Sequence, residues 1–240
     1  MNYISTPNLP NSAVSLFIAD TYIENATVIP PAPLDVLPPG LKRHADLGIC
    51  VISETKAVCP PDSYGYYKEA LSPYGFEIIK GNFPLGCHYP HDSAYNICIV
   101  GKKCFLNYDV CDTALSGILT SEGYEIINVK QGYTKCSICP IDENSIITAD
   151  VSIFRAAENA GMDALLISNN TITLKGYDNG FFGGCCGMGA KDVLLVNGDI
   201  ETFADKNAVF EFLNKKSISI VTLKKGPLTD IGSIIPLMTK

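Results

Sequence analysis

KGYDNGFFGGCCGMG (Lys175–Gly189) follows the apolar run ITL and sets glycines around two adjacent cysteines. Its entry, a β-rich run closed by a glycine, recurs along the chain as EIIKGN at 77–82, IINVKQG at 126–132, ITLKG at 172–176 and IVTLKKG at 220–226. The closing residues Gly81, Gly132, Gly176 and Gly226 stand roughly 50 residues apart, a spacing that marks a repeat architecture.

Upstream of each closing run lies the same order of signals. Residues 48–59, GICVISETKAVC, form two β-rich runs about a polar turn at Glu54–Thr55, a hairpin pattern. Asp62–Ser63 is placed to cap a helix with Tyr67, Ala70 and Leu71 inward, and Gly75 to end it. The second copy is NICIVGKKCFLN, a helix near 111–121 and YEIINVK. The third is SICPIDENSIITAD, a helix over 151–160 and ALLISNNTITLK. The fourth is DVLLVNGDIETF, a helix near 205–214 and ISIVTLKK, with Asn197–Gly198 as its hairpin dipeptide. The unit is strand, strand, helix, strand.

The ends complete the pattern. Residues 13–30 predict two short strands around Tyr22–Asn25, an N-terminal hairpin without a helix. Five prolines between Pro30 and Pro39 exclude a helix or central strand and predict a rigid surface connection. The closing apolar segment SIIPLM predicts a last strand that joins the N-terminal hairpin and removes exposed edges. The expected fold is therefore α/β: one domain over 1–240, a closed five-bladed α/β propeller of strand-strand-helix-strand repeats. Its units fall at 13–47, 48–94, 95–136, 137–189 and 190–231, with 232–240 closing the ring.

Composition narrows the function classes. With 47% hydrophobic and 18% charged residues, the 240-residue chain is that of a globular protein large enough to bury a core. A net charge of −7 disfavours a nucleic-acid partner, which needs clustered Lys and Arg. No apolar run reaches membrane-spanning length, and the N-terminus lacks the pattern of a secretory signal. The expectation is a soluble, cytoplasmic protein with its ten cysteines reduced and no membrane partner.

A ring of five such units resembles the pentein fold of the guanidino-group-modifying superfamily, which includes arginine deiminase, dimethylarginine hydrolase, agmatine deiminase and the amidinotransferases. The resemblance rests on repeat order and hairpin placement over nearly the whole chain. It implies that the loops 42–48, 86–95, 131–140, 176–190 and 226–233 gather at one mouth of a central channel. It also implies a chemistry: a cysteine thiolate attacks the guanidinium carbon, a histidine moves protons and acids hold the cation. Carried over loop by loop, the acids fall on Asp46 and on Asp92, with His91 beside the latter. The histidine position falls on Tyr133. The nucleophile position falls on Gly232, with Asp230 and Ser233 nearby, and no cysteine follows Cys186. The standard Cys/His pair is missing, so the resemblance implies a divergent branch that binds or modifies a small cationic, guanidino, amidino or amino-acid-like metabolite without a cofactor.

The remaining candidates come from the loops. Cys185 or Cys186, after a glycine-rich turn, is the candidate relocated nucleophile with His91 as partner. His44, in the first loop, joins Asp46, Asp92, Tyr133 and Asp230 as a substrate-binding candidate. The alternative is soft-metal ligation, as zinc or iron–sulfur, by Cys136 and Cys139 with Cys87, His88 or Cys185. Cys50, Cys98 and Cys104 fall within hairpin strands and read as core.

Overall fold

The structure is a computed structural model that describes residues 15–17, 27–168 and 170–237. Its strands form five small sheets of three. The first described strands are β1 (Ser15–Phe17) and β2 (Thr27–Val28). A short helix α1 (Ala45–Gly48) precedes β3 (Cys50–Ser53) and β4 (Lys56–Cys59), then helix α2 (Tyr64–Leu71) and β5 (Glu77–Lys80). The next unit is β6 (Cys98–Val100), β7 (Lys103–Leu106), α3 (Thr113–Ser121) and β8 (Glu125–Asn128). The third opens on the short helix α4 (Thr134–Ser137) and continues with β9 (Ile138–Asp142), β10 (Ser145–Thr148), α5 (Val151–Asn159) and β11 (Asp163–Leu166). The fourth is β12 (Cys186–Ala190), β13 (Val193–Val196), α6 (Lys206–Asn214) and β14 (Ser219–Thr222), and β15 (Ile235–Pro236) follows.

In each complete unit the first strand pairs antiparallel with the second, and the second pairs parallel with the third. A parallel neighbour needs a crossover, and the helix supplies it. β15 takes the first place in the fifth sheet: it pairs antiparallel with β1, and β1 pairs parallel with β2. The C-terminal strand thus meets the N-terminal strands as expected. The expected N-terminal hairpin does not form, because β1 and β2 run parallel; its turn residues, Tyr22–Asn25, lie outside the described residues. Residue 238 does too.

Local chemistry explains these elements. The second strands, such as SIIT of β10 and VLLV of β13, are buried throughout, as strands covered on both faces are. Asp112 and Asp150 cap α3 and α5, accepting the Leu115 amide and the Ser152 and Ile153 amides. Gly75, Gly123 and Gly161 follow their helices at positive φ, where Ser217 stands after α6. Leu34 and Leu37 of the proline segment are buried, and Val36 is exposed.

Two sequence expectations require correction in the second half. The third closing strand is β11 at 163–166, not ITLK at 172–175; Thr173 and Leu174 form only isolated bridges, to Thr229 and Tyr177. The fourth hairpin is β12–β13, turning between Ala190 and Val193 rather than at Asn197–Gly198. Asn197 instead follows β13 and bonds through its side chain to the Thr229 carbonyl. The glycine-rich stretch therefore holds a first strand, CGMGA, which composition disguised.

The first strands of the five sheets share one cavity of about 190 Å³. Cys50, Ile97, Pro140, Met188 and Ile235 line it, one from each unit, with Lys135 of α4. Among the described residues no helix is long and apolar enough to cross a membrane.

Candidate functional site: an acidic cluster where the inter-unit loops meet

The segments before the first strands converge by hydrogen bonding. In α1, Asp46 is fully buried. Its Oδ2 accepts from Ser233 Oγ at 2.6 Å and from Cys136 Sγ at 3.0 Å, and its amide donates to the Gly232 carbonyl at 3.2 Å. Its other oxygen, Oδ1, is buried without a partner among the described residues. Asn96 ties the second loop to both neighbours: its Nδ2 donates to the Asp46 carbonyl and to Cys136 Sγ, each at 3.0 Å, while its Oδ1 accepts the Lys135 and Cys136 amides. Residues 46, 96, 136 and 233 thus bind four segments together.

A second carboxylate lies beside the first. Asp230 is buried; its Oδ2 accepts the Phe181 amide at 2.9 Å and its Oδ1 the Gly232 amide at 3.0 Å, with His44 Nδ1 at 3.8 Å from Oδ1. Burial pushes the Asp230 carboxyl up, against the pull of His44, and Asp46 adds to the rise. The glycine run answers to this site. A Cβ at Gly184 would stand 2.2 Å from Asp230 Oδ1, and one at Gly183 would stand 2.3 Å from the Ile138 carbonyl oxygen. Only glycine lets this turn lie against both.

The third carboxylate, Asp92, receives the Tyr133 hydroxyl on both oxygens, at 2.9 Å each. Burial raises its pKa, and the Tyr133 hydrogen bond and the nearby His88 and His91 oppose that rise. An aromatic rim surrounds it: Tyr89 and Phe181 stack on Tyr133 at centroid distances of 5.5 and 6.1 Å, and the half-exposed Tyr177 lies within electrostatic range of Asp92. Phe181 links this group to the first: its ring lies against Tyr133 while its amide donates to Asp230. The five expected substrate-binding residues, His44, Asp46, Asp92, Tyr133 and Asp230, therefore form one connected cluster.

The catalytic candidates fare differently. Cys185 and Cys186 are fully buried, and both thiols donate to the Phe182 carbonyl, at 3.1 and 2.8 Å. Burial raises the Cys186 thiol well above its usual range, although its hydrogen bond with Cys139 pulls the other way. A nucleophilic thiol wants accessible, electropositive surroundings; these thiols pack instead. His91 is exposed, beside Asp92, whereas Cys186 is buried in a hydrophobic core cluster. Cys136 is also held protonated, by burial and by Asp46. As for the metal alternative, Cys87 and His88 are exposed while Cys136, Cys139 and Cys185 are buried. Among the described residues no three His, Cys, Asp or Glu side chains are grouped to hold an ion.

Sequence reasoning missed Asn96 and gave Cys136 only a metal role. One signal marks both loops: Gly48-Ile-Cys50, Asn96-Ile-Cys98 and Ser137-Ile-Cys139 are the same step at the same place in three units.

The small three-stranded sheets with their crossover helices define the class: a mixed α/β protein with a pentein-like fold. It is similar to the crystal structure of a dimethylarginine dimethylaminohydrolase adduct with S-methyl-L-thiocitrulline, with a TM-score of 0.53 and 12% identity over 84% of this chain and 75% of that one. It is similar also to an amidinotransferase of the saxitoxin biosynthetic pathway from Microseira wollei, with a TM-score of 0.54 and 11% identity over 90% and 76% of the two chains. The chain itself belongs to the family of unknown function DUF6873, whose profile matches residues 20–235. No curated protein matches it.

Proposed function

We propose that this protein is a closed five-unit ring, a divergent member of the guanidino-modifying superfamily, whose mouth binds a small cationic metabolite of guanidino, amidino or amino-acid-like type. The observation that carries the reading is that Asp46, Asp92 and Asp230 are all buried and are linked through Gly232 and through the Phe181–Tyr133 contact. Among the described residues none of the ion pairs joins a Lys or Arg to any of the three. Buried carboxylates without a cation are costly, and a ligand that brings the cation recovers part of that cost. A planar amidinium or guanidinium fits best, because it presents several donors to carboxylate oxygens and a face to the Tyr89, Tyr133 and Tyr177 rim. The fold relatives enter only as support for this choice of ligand class.

Binding rather than standard covalent turnover follows from the thiols. Cys136, Cys185 and Cys186 are each buried and hydrogen-bonded, and Gly232 has no side chain to offer. The test is a thermal-shift series of guanidines, amidines and amino acids on the parent and on Asp92→Asn and Asp230→Asn. A ligand selective for the native state raises its melting temperature by mass action. We expect at least one guanidine or amidine to stabilise the parent and both variants to lose most of that shift. No shift in the parent, or a shift retained in both variants, overturns the reading.

A further inference from the structure

Lys135 stands apart from the acidic cluster in the use of its side chain. Its backbone amide donates to Asn96, but its amino group makes no hydrogen bond or ion pair among the described residues. It lines the cavity shared by the first strands, and the residue as a whole is half-buried. Around it lie Cys98, Cys139 and Cys186, from three different units, and Asp46 acts on it without forming an ion pair. Burial works against its charge and Asp46 works for it, while the surrounding thiols are held protonated by burial.

Asp46 acts on this amine without an ion pair or hydrogen bond to it, so the amine has no direct partner on the cavity side. The rest of the cavity wall is apolar, with Ile, Val and Met side chains, and includes Pro140 and Pro236, which have no amide hydrogen to donate. One positive charge balances one negative charge, so a phosphate dianion is poorly matched and a monovalent anion well matched. A wall of methyl groups also favours a ligand with an apolar body over a bare ion. The volume, about 190 Å³, limits that body to a few carbons. We propose that the cavity is a second ligand site, distinct from the acidic mouth, that takes a small carboxylate on a short branched apolar body, with Lys135 as its counter-cation.

The probe is sodium isovalerate, compared at equal ionic strength with sodium chloride and, separately, with the neutral isostere isovaleramide. We expect isovalerate to raise the melting temperature of the wild-type protein by several degrees while chloride and isovaleramide leave it nearly unchanged. In protein labelled at the methionine methyls, the Met188 resonance should shift on titration, because Met188 lines the cavity, and that of Met162, buried in another core cluster, should not. Lys135→Met should abolish the isovalerate response but keep any guanidine response at the mouth, and Lys135→Arg should restore part of the former. Equal effects of chloride and isovalerate, a shift by isovaleramide, or a silent Met188 overturns the proposal, and the last requires only the wild-type chain. Failure of the guanidine screen with a positive Met188 titration would sink the mouth reading and leave this site standing.

Discussion

Gly232 occupies the place where the family resemblance puts a nucleophile, and the structure makes a strong statement about replacing it. Its φ is +78°, in the left-handed region, and a Cβ there would lie 2.3 Å from His44 Cα and 2.5 Å from His44 Cβ. The backbone is fixed on both sides, since the Gly232 amide donates to Asp230 and its carbonyl accepts from Asp46. Gly232→Cys therefore adds a left-handed residue, at about 1–2 kcal/mol, and an overlap that must push α1 and the last loop apart, at about 1–3 kcal/mol. The sum, about 2–5 kcal/mol, corresponds to a fall of roughly 5–15 °C in melting temperature for a chain of this size. Gly226→Cys is the control, because Gly226 has φ +97° but nothing within 4 Å of an added Cβ. It should lose only the first, conformational part. The assay is differential scanning fluorimetry of both variants alongside a colorimetric citrulline assay with arginine, methylated arginines and agmatine. The reasoning is refuted if Gly232→Cys is no less stable than Gly226→Cys, or if it gains turnover.

Two further outcomes follow from the fold. Asp112→Ala removes the acceptor for the Leu115, Asn82 and Phe83 amides and the Tyr95 hydroxyl, so it should cost about 3–5 kcal/mol in denaturant unfolding, with Asp112→Asn in between; a loss below about 1 kcal/mol refutes this. Burial holds the Cys59, Cys98 and Cys111 thiols at about 12, against 9.0 for an unperturbed thiol. The unfolded chain therefore ionises first, and the stability these thiols provide is complete below pH 9 and lost as pH rises through 12, by about 1.4 kcal/mol per thiol for each unit. An unfolding midpoint flat from pH 8 to 10.5 would exclude it.

The unit order was legible because its signals are local. Two apolar runs and a helix fall within each fifty-residue stretch, a glycine stop follows the helix in three of the four, and α3, α5 and α6 lie within two residues of their expected bounds. What escaped was set by long-range contact. ITLK has the composition of a closing strand, but β10 takes its parallel partner from DALL immediately after Gly161, and ITLK is left to bridge the last loop. CGMGA has almost no strand propensity, yet it is a first strand because Gly187 lies against the backbone of Ile234, where an added Cβ would meet the carbonyl oxygen at 1.9 Å. The parallel pairing of β1 and β2 was equally hidden, since two short apolar runs do not announce their direction.

The repeat makes explicit which places the candidate residues occupy. Counting back six residues from the cysteine of each shared Ile-Cys step reaches His44, Asp92 and Tyr133; counting back four reaches Asp46, Ala94 and Lys135. Equivalent places in successive units can meet although the chain separates them widely, as the Tyr133–Asp92 hydrogen bonds show. That is why Tyr133 can hold Asp92, the same position one unit earlier, and why Asp46 and Lys135, the second residues of α1 and α4, act on one another. A repeat fold can therefore exchange the chemistry at one place without moving the others. The six-back place holds an imidazole, a carboxylate and a phenol in three units, and the four-back place holds opposite charges in two. At 232, glycine lets His44 pack against the backbone, and the Ser233 hydroxyl donates to Asp46, joining the last loop to the first.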